Sequence, residues 1–320
     1  MELTSKKNAR SPTRMLLKAS EYWMELALAL TVFVAFIPTL LRLADGPWRT
    51  EQEGHGPIVI AAAAWLAFQA WQKSRTNLAK CDLAQSELSK GYSTTAATIA
   101  GWIALLVGLA TLAVMRSQDV LMLETAAQIP IICGAVLLSS GWSGLKTYAF
   151  PIAFLIFAVP PPGWMLDAFT VPMKVMVSDW ATEILYRLDY PIAQNGVMIM
   201  VGPYQLMVKD ACSGMNSVFA LSAIGFFYVH EFIHNSPFRS VAMLLSIVPI
   251  TVAANFVRVL SLILIAYYFG VDAVEGVFHD LTGFLLFAIA LLLFFLLDGI
   301  LIGLAAVASR ATRGRRSKSA

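Results

Sequence analysis

Phe284-Leu285-Leu286-Phe287-Ala288-Ile289-Ala290-Leu291-Leu292-Leu293-Phe294-Phe295-Leu296-Leu297 carries no polar side chain and lies inside an apolar run from 281 to 306. A hydrocarbon layer ~30 Å thick takes about 20 apolar residues to cross as an α-helix, and a helix satisfies its own backbone polar groups there. The stretch therefore predicts a transmembrane helix. Seven further runs have the same character, at about 22–43, 57–72, 94–115, 120–140, 146–160, 213–230 and 240–268. The expected fold class is an all-α integral membrane protein of about eight transmembrane helices. Composition agrees: 58% of residues are hydrophobic and 13% charged, against roughly 25% charged in soluble domains. A net charge of +3 gives no reason to expect a nucleic-acid partner; membrane lipids are the expected surroundings.

The basic residues predict orientation, because Lys and Arg concentrate in cytoplasmic loops. Lys6, Lys7, Arg10, Arg14 and Lys18 precede the first run. At roughly 20 residues that run is too long for a signal-peptide core of ~7–15, so it reads as a retained helix. Lys73, Arg75, Lys80 and Lys90 fill the 73–92 loop, Lys146 and Arg239 mark two further turns, and Arg310, Arg313, Arg315, Arg316 and Lys318 end the chain. All of these fall on one side in an N-in, C-in arrangement, with 1–21 and 307–320 as basic cytoplasmic tails of a single membrane domain. The opposite loops are acidic or mixed, with Asp45, Glu51 and Glu53, then Asp119 and Glu124, then 161–211, then Asp272 and Glu275. No internal repeat is visible, which disfavours an inverted-repeat transporter.

Segment 161–211 is the longest outer segment. It opens with Pro160-Pro161-Pro162-Gly163, which cannot continue a helix. Residues 164–188 then predict an interfacial helix, with Trp164 and Trp180 suited to the headgroup level. Val197 to Val201 and Tyr204 to Val208 flank Gly202-Pro203 and predict a small extracytoplasmic β-hairpin. Its second strand leads to Asp210-Ala211-Cys212-Ser213-Gly214-Met215-Asn216-Ser217.

Cys212 thus stands where a polar turn meets a new apolar run. Two later apolar runs each hold one costly polar residue: Arg258 in Asn255-Phe256-Val257-Arg258 and His279 in Phe278-His279-Asp280-Leu281-Thr282-Gly283. A thiol with pKa near 8.5 needs help to become the nucleophilic thiolate. A helix beginning at Ser213, a guanidinium and an imidazole would each supply some. The N–H groups of Ser213 and Gly214 are candidates for an oxyanion hole, and Gly214 would admit a close-lying substrate. An intramembrane arginine costs at least ~2.5 kcal/mol on insertion scales, which makes function its default reading. Arg258 lies about 15 Å before the outer end of its helix, and its long side chain can snorkel part of that distance.

Blander readings stand beside these. Free cysteine is often a small buried hydrophobe, Arg258 can pair with backbone carbonyls or a lipid phosphate, and His279 can be an interfacial residue with no task. Cys81, Cys133 and Cys212 are far apart and form no CxxC or Cys/His spacing, so no disulfide framework, metal or cofactor is called for. His230 and His234 flank Glu231 at helical spacing without a third ligand and read as a solvated turn. Neither Ser213 nor Ser217 lies in a GxSxG turn. A non-catalytic channel, transporter or scaffold subunit is the alternative class. A channel predicts several polar residues along one path, whereas 240–257 and 284–297 are nearly all apolar.

Ala211-Cys212-Ser213-Gly214-x-x-Ser217, Asn255-x-x-Arg258 and His279-x-x-x-Gly283 followed by Phe284 together resemble the exosortase/archaeosortase family of multi-pass membrane cysteine transpeptidases. The likeness covers roughly 100–300. It implies a Cys212, Arg258, His279 triad within a catalytic three-helix region at 212–306, with Ser213, Gly214, Ser217, Asn255 and Gly283 in support. His279 in the third position resembles the bacterial branch, since the archaeal branch uses Arg there. The implied partners are exported proteins with a C-terminal sorting signal: a short motif such as Pro-Glu-Pro, a transmembrane helix and a basic tail. The implied setting is the inner membrane of Gram-negative bacteria that make exopolysaccharide, with the active site on the extracytoplasmic side.

Overall fold

A computed structural model describes residues 30–50, 53–81, 95–196, 198–207, 217–234, 236–275 and 277–318. Of residues 75–81, 169, 207, 217, 275, 277–280 and 308–318 the backbone alone is described. The chain divides into two compact units, one formed by 1–46 and 60–159, the other by 47–59 and 160–320.

The first unit is helical. Helix α1 spans 30–45; α2 is Gly56–Cys81, α3 Thr95–Ser117, α4 Leu121–Ala126 and α5 Gln128–Phe154. Small residues bring α3 and α5 together: a Cβ at Gly134 would lie 2.7 Å from the Leu105 amide nitrogen and 2.8 Å from the Gly101 carbonyl. Backbones approach this closely where lipid supplies no hydrophobic drive and packing must hold helices together. Phe36, Leu112, Ala127 and Ile131 form a small core beside them.

Where these helices meet, Glu124 is 0% exposed. Its carboxylate accepts from Thr39 Oγ1 at 2.7 Å, Arg42 Nη1 at 2.6 Å and Arg116 Nε at 2.9 Å. Arg42 also reaches Asp119 at 2.6 Å. Glu124 was expected as an acidic loop residue. It is instead a buried helical one, because two arginines neutralise and bond it.

The runs expected at 120–140 and 146–160 meet at a break in α5 at Gly141, with φ 64°. The break falls there because glycine alone takes that conformation without a Cβ penalty, so Lys146 lies within the following helical stretch rather than in a turn. Helix α2 likewise runs past residue 72 to Cys81, through the start of the expected basic loop.

In the second unit, α6 (Gly163–Arg187) is followed by β1 (Ile192–Asn195), β2 (Met198–Val201) and β3 (Tyr204–Met207). The expected hairpin is thus a three-stranded antiparallel meander in the order β1-β2-β3. Register pairs Ile192 with Val201 and Val201 with Tyr204. The second turn is Gly202-Pro203, with Gly202 at φ 56°, a left-handed first residue of the kind tight hairpins use. Then come α7 (Ser217–Phe232), α8 (Pro237–Phe269), α9 (Val271–Glu275) and α10 (Val277–Lys318).

Helix α8 organises this unit through two apolar clusters. Toward its N-terminus, Met243, Ile247, Ile250 and Ala254 pack with Leu221 of α7 and Leu286, Ala290 and Phe294 of α10. Toward its C-terminus, Val259, Leu262, Ile263 and Ala266 pack with Val177, Ala181 and Leu185 of α6, the buried sheet residues Ile192, Ile199, Val201 and Leu206, and Val274 of α9. The predicted helix at 164–188 is therefore present, with one face docked on α8.

Among the described residues five helical stretches are long and apolar enough to cross a membrane: Leu30–Arg49, Thr95–Ser117, Leu121–Ala158, Pro237–Phe269 and Leu281–Val307. Val218–Phe232 is a shorter apolar helix. The protein is a membrane protein, mostly helical, with one small sheet.

Candidate active site

Helix α8 carries Thr251, Asn255 and Arg258 at helical spacing, and all three are buried. Thr251 is satisfied locally, its hydroxyl donating to the Ile247 carbonyl at 2.8 Å. Asn255 is 0% exposed, and among the described residues neither its Nδ2 nor its Oδ1 has a hydrogen-bond partner. Arg258 is 3% exposed. The guanidinium therefore does not snorkel to an open surface. Protein covers it instead.

Arg258 and Asn255 stand at the seam between the two clusters. Ala254 belongs to the cluster shared with α7 and α10, and Val259 to the one shared with α6 and the sheet. The same seam brackets the other two candidates in sequence. Cys212, with Ser213 and Gly214, falls in 208–216, outside the described residues. It is flanked by Leu206 of one cluster and Leu221 of the other. His279 lies in the first turn of α10, where the backbone alone is described, between Val274 of one cluster and Leu286 of the other. Thr282, one turn on, is buried, and Gly283 is half-buried. Ser217 opens α7. The start of a helix at Ser213 is a reading that falls outside the described residues.

The transmembrane exosortase family (Exosortase_EpsH) matches residues 48–296. The chain belongs to the exosortase family. No curated protein and no solved structure matches the chain. The family match spans most of this exosortase, including α6, the sheet and the helices that carry Asn255, Arg258 and His279.

The opposite end of the α7, α8 and α10 group holds a second polar cluster that sequence reading missed. Arg239 donates through Nε and Nη2 to the two carboxylate oxygens of Asp298, each at 2.5 Å, and the Tyr228 hydroxyl donates to Asp298 Oδ2 at 2.6 Å. Arg239 was read only as a topological marker, and Asp298 was not singled out. The available signal was an acidic residue directly after fourteen apolar ones. His230 lies in the same α7 end, its Nε2 3.9 Å from Glu231 Oε1.

Proposed function

We propose that the chain is a membrane cysteine peptidase or transpeptidase that cleaves the C-terminal sorting signals of exported proteins. The observation that supports this most is the seam in α8, where buried Asn255 and Arg258 sit between two apolar cores, while Cys212 and His279 each fall in sequence between a residue of one core and a residue of the other. Cys212 thiolate attacks the carbonyl of the scissile peptide bond and forms a thioester. His279 protonates the leaving amine, which departs with the substrate's helix and tail. His279 then takes a proton from the incoming amine or water, whose attack on the thioester releases the product and restores the thiolate beside a protonated His279. Arg258 stabilises the thiolate or the oxyanion, as a fixed cation in a low-dielectric site does.

Helix length supports a position at the membrane boundary. At ~1.5 Å per residue, Arg239 and Arg258 stand roughly 28 Å apart along α8, close to the ~30 Å of a hydrocarbon core. Exposed Val241, Leu245 and Val248 lie between them. With Arg239 and the basic tails on the cytoplasmic side of a bacterial inner membrane, Arg258 meets the extracytoplasmic face. This is the N-in, C-in arrangement of about eight helices. The substrate's helix docks among α7, α8 and α10 with its basic tail inside, so that its motif, Pro-Glu-Pro or similar, meets Cys212. The test is co-expression with a tagged exported protein carrying such a signal. Processing is expected with the wild type and lost with Cys212→Ala; normal processing by that variant refutes the mechanism.

A further inference from the structure

A buried asparagine whose amide bonds to nothing is costly, about 1–3 kcal/mol for each unsatisfied group. Buried polar groups in native proteins nearly always find a partner. Asn255 is the deepest polar side chain at the α8 seam, and among the described residues both ends of its carboxamide lack one. Thr251, one turn before, closes on its own helix, and the cluster residues that flank Asn255 and Arg258 on α8, Ala254 and Val259, are apolar. A primary carboxamide offers one acceptor oxygen and a donor NH₂. That is the complement of a peptide unit, which offers a carbonyl and an N–H.

We infer that Asn255 binds the substrate's backbone next to the scissile bond, its Nδ2 donating to a peptide carbonyl and its Oδ1 accepting from a peptide N–H. The inference rests on the sorting-peptidase reading and deepens it. Arg258, one turn on, deals with charge that develops during reaction. Asn255 recognises the neutral peptide plane, whatever side chains the motif carries. Binding an extended strand in this way gives register without sequence specificity. It also keeps a polar group inside an apolar layer where leucine would pack better, a trade of stability for function.

The experiment uses the full-length chain in detergent and a synthetic reporter with Pro-Glu-Pro, an apolar helix and an arginine tail. Peptide bonds flanking the cleaved one are replaced singly by esters, each of which removes one N–H donor and weakens one acceptor. At one position the ester is expected to lower kcat/KM of the wild type about 10-fold, the worth of one hydrogen bond. The same ester should lower that of Asn255→Leu less than about 2-fold. Where the leucine variant is too slow to measure, Asn255→Ser takes its place in the same cycle. The melting temperature of Asn255→Leu is expected to hold or rise. Equal ester penalties in wild type and variant at every position overturn the inference. So does a clear fall in melting temperature or a failure to fold, since either reveals an internal partner. Cys212→Ala separates the two claims: if it cleaves the reporter, the peptidase reading fails; if it is inert while the ester cycle shows no coupling, only the role of Asn255 fails.

Discussion

At the Arg239 end of α8 a buried charge is fully answered: Asp298 receives both arms of one guanidinium and a tyrosine hydroxyl. At the Arg258 end, one apolar cluster further along the same helix, Asn255 is equally buried and has no hydrogen bond among the described residues. Both ends pay the desolvation cost of polar burial. One recovers it within the fold, so its residues serve folding. At the other, the Asn255 carboxamide has no partner among the described residues to recover it, as the proposed binding role requires. The Glu124 cluster of the first unit belongs with Asp298, for its carboxylate accepts from three donors.

Substitutions at the two ends should therefore separate activity from stability. The largest effect is expected for Arg258→Lys. Processing of a tagged substrate should fall by roughly 100-fold or more, because an ammonium lacks the planar fork, while the protein still accumulates in the membrane. Full activity would make Arg258 a packing residue and break the contrast. Asp298→Ala should do the reverse, lowering stability by about 1–3 kcal/mol because it leaves the partly buried Arg239 guanidinium without its partner. Activity per folded molecule should be little changed, as measured by thermal melts in detergent alongside turnover. Tyr228→Phe removes one bond to the same carboxylate and is expected to cost about 1.5 kcal/mol. The smallest effect belongs to Ser236→Ala. Its hydroxyl caps α8 by accepting from the Arg239 amide at 3.3 Å, so about 0.5–1 kcal/mol should be lost. A larger loss would show that the cap also orients Arg239 toward Asp298.

Much of the fold was legible in the sequence because lipid imposes a simple rule on long apolar runs. The helices near 94–115, 240–268 and 281–306 follow from hydropathy alone, and Gly202-Pro203 marks its hairpin. The first strand, Ile192-Ala193-Gln194-Asn195, was not legible, since it has one large apolar residue and no alternation over a useful length. It is a strand because β2 and the α6–α8 core offer it an edge and a surface. The polar clusters were hidden for a related reason: Tyr228, Arg239 and Asp298 come from three helices, and their pairing depends on packing angles that hydropathy does not encode. Asn255 and Arg258 were legible as a motif, but their burial at a seam between two cores was not. That property depends on α6 and the sheet folding back onto α8.

The most direct measurement is mass spectrometry of the enzyme quenched in acid during turnover of the reporter. The account predicts the reporter's N-terminal fragment attached to Cys212 as a thioester, released by hydroxylamine and absent from Cys212→Ala. Cleavage without an adduct in that alanine variant would contradict it.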